Sequence, residues 1–149
     1  HMLAIMKDSQ VGSFGVVAIV AVLGLKLLLL AAVPTEMKLG TLLSFPVLGR
    51  WAACYAMVTQ PYARSSGGLG APFVEGANRR DLMWASIITI AIVVFALRSI
   101  AVPVIITTLL FTMLYVKVVK GMIGGMTGDT LGALIELAEV VVLFVVTII

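Results

Sequence analysis

The residues best suited to chemistry lie in a glycine-rich segment followed by an apolar stretch with two carboxylates. The segment Gly124–Asp129 reads Gly-Gly-Met-Thr-Gly-Asp, and Glu136 and Glu139 follow it. Glycines let backbone N–H groups approach phosphate oxygens, and Asp129 is a hard oxygen ligand of the type that Mg²⁺ takes. The pattern is compatible with a phosphate site, but a glycine-rich turn at a membrane surface has the same composition.

Two other polar segments carry similar side chains. One contains Lys7, Asp8 and Ser9, and the other contains Tyr62 and Arg64 before further glycines. Asp8 is a second candidate magnesium ligand. The basic residues that could neutralise a polyanion are Arg64, Arg79, Arg80, Lys117 and Lys120. Together the three segments outline a phosphoryl-transfer site, although none of them is specific alone.

The composition is that of a membrane protein. Of the 149 residues, 62% are hydrophobic and 11% are charged, with a mean hydropathy of +1.20, whereas soluble domains are about 45–50% apolar and about 25% charged. A chain of this length cannot bury so much apolar surface in a soluble fold. Cys54 is the single cysteine and His1 the single histidine, which argues against a His/Cys metal cluster or a Cys–His nucleophile pair.

Hydropathy predicts an all-α bundle of about five membrane helices within one membrane domain, residues 1–149. The predicted helices span about 13–33, 41–59, 82–97, 99–119 and 131–149. Most have the roughly 17–25 residues that cross the bilayer, and the third is marginal. The segments 34–40, 60–81 and 120–130 are predicted loops. The short break at Arg98 predicts that the third and fourth helices form a hairpin.

The distribution of basic residues predicts the orientation. Five crossings place the N-terminus, the loop 60–81 and the segment 117–130 on one side of the membrane. The basic residues of that side are Lys7, Arg64, Arg79, Arg80, Lys117 and Lys120. The other side has Lys38 and Arg98. The positive-inside rule therefore predicts that the polar segments face the cytoplasm.

Four charged residues fall inside predicted helices: Lys26, Arg50, Glu136 and Glu139. Each costs at least about 2.5–3.5 kcal/mol at the centre of a membrane helix unless it is compensated. Two interpretations remain open, namely ion pairs that only fix helix packing and a polar cavity lined by Arg50 and the two glutamates. Lys26 is expected to be the weakest member, because a lysine can extend towards the membrane interface.

Two long motifs resemble signatures of the cobalamin synthase family, whose members are also called adenosylcobinamide-GDP ribazoletransferases. Residues Ala4–Gly15 resemble the pattern E-I-M-[KR]-D-S-x-x-G-x-x-G, and Gly124–Ala133 with Glu136 and Glu139 resembles the C-terminal signature. The features between them, in the order found in the family, are Lys26, Arg50 and Tyr62-Ala63-Arg64 before a Gly-Leu-Gly. The resemblance covers essentially the whole chain.

The resemblance implies a multi-pass enzyme of the cell inner membrane. Such an enzyme joins adenosylcobinamide-GDP to α-ribazole or its 5′-phosphate with Mg²⁺ and releases GMP. It implies catalytic roles for Asp8, Asp129 and Arg64, with Asp8 and Asp129 as metal ligands. The substrate-binding residues expected from the motifs are Lys7, Ser9, Arg50, Tyr62, Gly124, Gly125, Thr127, Gly128, Glu136 and Glu139. No nucleic-acid partner is expected.

The chain departs from the family in one respect. Family members carry an additional N-terminal region with an aspartate-rich H-L-D-G-L-A-D-T-x-D-G motif, which this sequence lacks. The chain therefore resembles the C-terminal portion of a synthase, and we expect it to be inactive without the missing part or an oligomeric partner. The alternatives are a transporter or channel lined by the intramembrane charges, or a structural subunit. A transporter needs polar access from both sides, whereas the polar segments here share one side.

Overall fold

Five long helices and one short helix account for most of the chain. The computed structural model describes residues 12–63 and 71–149, apart from the side chain of Glu75. The helices are α1 (Ser13–Ala32), α2 (Thr35–Thr59), α3 (Ala71–Gly76), α4 (Arg79–Leu97), α5 (Ala101–Ile123) and α6 (Gly128–Ile148). The prediction of an all-α helix bundle is confirmed.

The long helices are apolar enough to cross a membrane. Among the described residues, four stretches qualify by length and composition: Ser13–Ala32, Thr35–Thr59, Arg79–Ile123 and Gly128–Ile148. The third stretch has 45 residues and comprises α4 and α5. Large apolar side chains remain exposed along all of these helices, as expected where lipid covers them. The chain is therefore a multi-pass membrane protein.

Several helices begin earlier than hydropathy predicts, because the first turn of each contains polar residues. The predicted loop 34–40 is wrong, since α2 starts at Thr35 directly after Pro34; proline ends one helix and is well tolerated where the next begins. Helix α4 starts at Arg79 through a capping box between Asn78 and Asp81. Such boxes satisfy backbone N–H groups that have no partner within the helix.

The chain reverses direction sharply between α4 and α5. Arg98 has φ = 49°, which is uncommon for a residue other than glycine, and a single 3₁₀ turn follows it. Helix α4 runs antiparallel to α2, because Gly40 lies against the carbonyl of Ala96 and Trp51 Nε1 donates to Ser86 Oγ at 2.9 Å. Helix α5 starts with Ala101 beside Val33 and Val146. It runs to the first turn of α6, where Tyr115 contacts Thr130, so it is antiparallel to α4 and the predicted hairpin is confirmed.

Helices α2 and α6 pack against each other at the centre of the bundle, α4 covers α2, and α1 packs on α6. One buried cluster lies at the end of the bundle that contains Val33 and Ala101, which we call the far end. The other cluster lies at the opposite end, beside Pro61–Ala63 and Gly124–Thr127, which we call the loop end. At the loop end, Ala52, Ala56 and Ala138 are fully buried, and their small side chains let the helices approach closely.

Helices α2 and α6 approach closely at Gly49. A Cβ atom on Gly49 would lie 2.8 Å from Glu139 Cγ and 3.3 Å from the carbonyl oxygen of Ile135. We expect Gly49→Ala to lower the free energy of unfolding by about 1–3 kcal/mol, the usual cost of overpacking. Thermal unfolding in detergent, followed by tryptophan fluorescence, measures this.

Gly24→Ala is the matched control for this substitution. Gly24 lies within α1, and a Cβ atom added to it would meet no other atom within 4 Å. Because alanine favours helix more than glycine does, the control should be as stable as the parent protein or slightly more stable. Equal stability of the Gly49→Ala and Gly24→Ala variants would show that the crossing has room for a side chain.

Candidate functional site

Two of the three polar segments meet at the loop end through their backbones. The N–H of Ala63 donates to the carbonyl of Met126 at 2.8 Å, and the N–H of Met126 donates to the carbonyl of Pro61 at 2.9 Å. This parallel bridge pairs Tyr62 with Met126. The segment after α2 is thereby fixed against the glycine-rich segment before α6, so the two motifs form one structural unit.

Two glycines of the segment, Gly124 and Gly125, have separate structural reasons. Gly124 ends α5 with φ = 81°, the left-handed conformation that glycine adopts most readily, and its N–H donates to the carbonyl of Lys120. Gly125 lies where a Cβ atom would collide with the carbonyl oxygen of Pro61. Met126 and Thr127 follow and are fully buried. The bridge to Pro61 therefore depends on a residue without a side chain at position 125.

The first turn of α6 presents Asp129 to solvent. Thr127 and Thr130 form a capping box, in which the N–H of Thr127 donates to Thr130 Oγ1 at 2.8 Å. The hydroxyl of Tyr115 donates to the carbonyl of Thr130 at 2.9 Å and holds α5 against the same turn. Asp129 is exposed within this turn. The N–H groups of a helix N-terminus favour anions, so the exposed surface here suits a phosphate or a metal–phosphate group.

Deeper in the bundle, Lys26 of α1 bridges the two carboxylates of α6. Its Nζ lies 2.6 Å from Glu136 Oε2 and 2.5 Å from Glu139 Oε2. The side chains of Lys26 and Glu139 are 13% and 9% exposed, whereas that of Glu136 is 49% exposed. The expectation that Lys26 is the weakest member of the charged set is wrong, because both glutamates face α1 and bind its ammonium group.

Arg50 does not join this cluster. It is exposed and lines a separate groove of about 380 Å³ between α2 and α4, with Trp51, Ala85 and Thr89 among its neighbours. The cavity expected from Arg50 and the two glutamates is therefore absent from the described part of the chain. The geometry instead matches the other open interpretation, in which an ion pair fixes helix packing.

Glu136 also borders a groove between α1 and α6. The groove has a volume of about 450 Å³. Its lining residues are Ala18, Ile19, Val22, Leu23, Ala133, Glu136 and Leu137. Its walls are thus apolar, with one half-exposed carboxylate two turns below Asp129. Such a groove can take a flat apolar group that carries a hydrogen-bond donor.

The structure brings only part of the predicted site together. The predicted residues that meet at the loop end are Tyr62, Gly124, Gly125, Thr127, Gly128 and Asp129. Glu136 and Glu139 lie below them, and Arg50 lies apart. Lys7, Asp8, Ser9 and Arg64 lie outside the described residues. Sequence reasoning missed Pro61 and Thr130, although the Thr127-x-x-Thr130 spacing is a detectable capping signal.

Within residues 12–63 and 71–149, no group of three or more His, Cys, Asp or Glu side chains could hold a metal ion. Asp129 offers one carboxylate, and Mg²⁺ is commonly bound by one or two carboxylates together with substrate phosphate and water. The loop end can thus supply one protein ligand, the Asp129 carboxylate, to a magnesium ion.

Comparison with known proteins identifies the family of the chain. The family model described as cobalamin-5-phosphate synthase matches residues 1–147. The chain belongs to this family. Among similar proteins, the adenosylcobinamide-GDP ribazoletransferase of Desulforamulus reducens is 40% identical over 146 residues, which are 97% of this chain and 57% of that protein. The same enzyme of Fusobacterium nucleatum is 33% identical over 171 residues, covering 99% of this chain and 61% of that protein.

The resemblance indicated by the two motifs is therefore confirmed at the level of the cobalamin-5-phosphate synthase family. The chain spans a little over half the length of the relatives that it matches. No solved structure matches the chain. Nothing in the described structure favours a transport path, because Lys26 compensates the two glutamates that would have lined it.

Proposed function

We propose that the chain forms part of a membrane transferase that joins adenosylcobinamide-GDP to α-ribazole or its 5′-phosphate and releases GMP. The observation that carries the proposal is the backbone bridge between Pro61–Ala63 and Gly124–Thr127. It unites two family motifs beside the N-terminus of α6, where Asp129 is exposed. The substrate named for the relatives contains a pyrophosphate, which suits the anion preference of a helix N-terminus.

The described residues have distinct proposed tasks. Gly124 keeps the exposed surface free of a side chain so that a phosphate can approach, Gly125 lets the segment pack against Pro61, and Thr127 fixes the start of α6. Asp129 provides a ligand for Mg²⁺, which would neutralise charge on the phosphates when bound. Glu136 and Glu139 hold α1 in place through Lys26. Positioning and charge stabilisation account for most of the catalysis in phosphoryl transfer, so these tasks suit the proposed reaction.

The location is part of the same proposal. We propose that the protein lies in the cell inner membrane with its loop end facing the cytoplasm. The distribution of basic residues supports this orientation. The Asp8 and Arg64 assignments remain proposals as well, with Asp8 as a second metal ligand and Arg64 as a phosphate contact.

Substitution of Asp129 tests the proposal. In lipid nanodiscs, adenosylcobinamide-GDP should bind to the parent chain in the presence of Mg²⁺ and should bind much more weakly with EDTA. We expect Asp129→Asn to weaken the Mg²⁺-dependent binding about tenfold or more, because the amide loses the charge that attracts the metal. Equilibrium dialysis, with the corrinoid absorbance as readout, measures both.

Glu36→Gln is the matched control, since Glu36 is an exposed carboxylate in the first turn of α2 at the far end. It should leave binding unchanged. If binding does not depend on Mg²⁺, or if the Asp129→Asn variant binds like the parent, Asp129 is not a metal ligand.

A further inference from the structure

A cationic groove lies at the loop end between α2 and α5. It has a volume of about 360 Å³. Its lining residues are Tyr55, Gln60, Met113, Leu114, Val116, Lys117 and Lys120. Lys117 and Lys120 are exposed, and the groove is apolar on the side nearer the membrane centre.

The two lysines face away from the candidate substrate site. Tyr115 points towards α6, where its hydroxyl meets the carbonyl of Thr130. At 3.6 residues per turn, Lys117 and Lys120 lie about 200° and 140° around α5 from Tyr115. They therefore lie on the face of α5 turned away from α6, in contrast to the expectation that they serve one polyanion together with Arg64, Arg79 and Arg80. Their charge is available to a different ligand.

The groove changes from apolar to cationic along α5. Met113 and Leu114 are 48% and 62% exposed and lie one turn nearer the membrane centre than Lys117. The lysines then occupy the last two turns, at the level where lipid phosphates lie. A soluble phosphate would use only the cationic half, whereas a phospholipid would cover both halves.

The side chain of Gln60 adds a requirement on the ligand of this groove, besides the phosphate and the acyl chain. Its Oε1 atom is buried and accepts no hydrogen bond from the described residues. A buried acceptor without a donor is unfavourable, and because Gln60 also lines the groove, rotation of its amide group would bring this oxygen to a hydroxyl group of a ligand. The ligand should therefore combine a negative phosphate, an acyl chain and a hydroxylated headgroup.

We propose that this groove binds an anionic phosphoglycerolipid of the phosphatidylglycerol type. Its phosphate lies between Lys117 and Lys120, and its acyl chain packs along Met113 and Leu114. A headgroup hydroxyl donates to Gln60 Oε1 once the amide group has rotated towards the groove. The site does not depend on the transferase function proposed above, since it lies on the face of α5 turned away from α6.

Native mass spectrometry of the protein released from mixed nanodiscs tests the proposal. With phosphatidylglycerol as a minor component in phosphatidylcholine, the parent protein should retain phosphatidylglycerol about tenfold above its share of the bilayer, as expected for two lysines near an anionic lipid. Lys117→Gln/Lys120→Gln should lose this enrichment. Lys117→Arg/Lys120→Arg should keep it, because the charge remains.

The control removes the same charge from the same end of the bundle. Arg79 and Arg80 are exposed in the first turn of α4 and do not line the groove. Arg79→Gln/Arg80→Gln should retain the enrichment. Equal loss in both glutamine variants would show general attraction of the basic surface and overturn the site. Complete displacement of the lipid by millimolar inorganic phosphate would identify a soluble phosphate as the ligand and overturn the lipid assignment.

Discussion

Replacing Lys26 with methionine is expected to lower the free energy of unfolding by about 3–5 kcal/mol, the usual effect of removing one partner of a buried ion pair. The substitution keeps an unbranched side chain but leaves Glu136 and Glu139 without their cation. Glu139 is the more costly of the two, because its side chain is only 9% exposed. Thermal unfolding in detergent, followed by the fluorescence of Trp51 and Trp84, measures the loss.

Two further variants separate the loss of charge pairing from the loss of packing. Lys26→Met combined with Glu136→Gln and Glu139→Gln removes all three charges, and it should recover a large part of the stability lost by Lys26→Met alone. Lys38→Met removes a lysine that forms no ion pair with the described residues, and it should change stability by less than about 0.5 kcal/mol. A triple variant no more stable than Lys26→Met would refute the electrostatic explanation.

Gly125→Ala is expected to weaken the binding of adenosylcobinamide-GDP about tenfold or more while the helices stay intact. The new Cβ atom would meet the carbonyl oxygen of Pro61, so the bridge between Pro61–Ala63 and Met126 must shift. A displacement of about 1 Å in a positioning segment can cost about a hundredfold in activity. Equilibrium dialysis reports binding, and far-UV circular dichroism reports helix content.

Gly121→Ala provides the comparison for this variant. Gly121 lies in the last turn of α5, one turn before the segment, and has open space around a Cβ position. Its binding and helix content should match those of the parent. If Gly125→Ala also binds like the parent, the bridge does not position the ligand, and the proposed role of the glycine segment fails.

The number of helices could be predicted because lipid exposure makes hydropathy a strong signal. Hydropathy places the starts of α2, α4 and α6 too late, since residues such as Thr35, Asn78 and Thr127 at those starts are polar and lower the local average. Those residues cap or begin the helices, and capping is a local interaction that a hydropathy average does not detect.

The pairing of charges could not be predicted from the sequence. Helix α1 is apolar around its whole circumference and contains no buried residue, so its periodicity gives no indication of which face Lys26 shares with a neighbour. The i, i+3 spacing does predict correctly that Glu136 and Glu139 share a face of α6. Whether Arg50 or Lys26 meets that face depends on helix packing, which is a tertiary property.

The ion pair of Lys26 also has a consequence for the synthesis of the protein. Lys26 and Glu136 are separated by 110 residues in the chain, and translation adds about 5–20 residues per second. The Lys26 side chain is therefore in the newly inserted α1 for about 5–20 s before its first acidic partner has been synthesised. During that interval its ammonium group must reach water at the membrane surface. The final depth of α1 is thus fixed only when α6 enters the membrane.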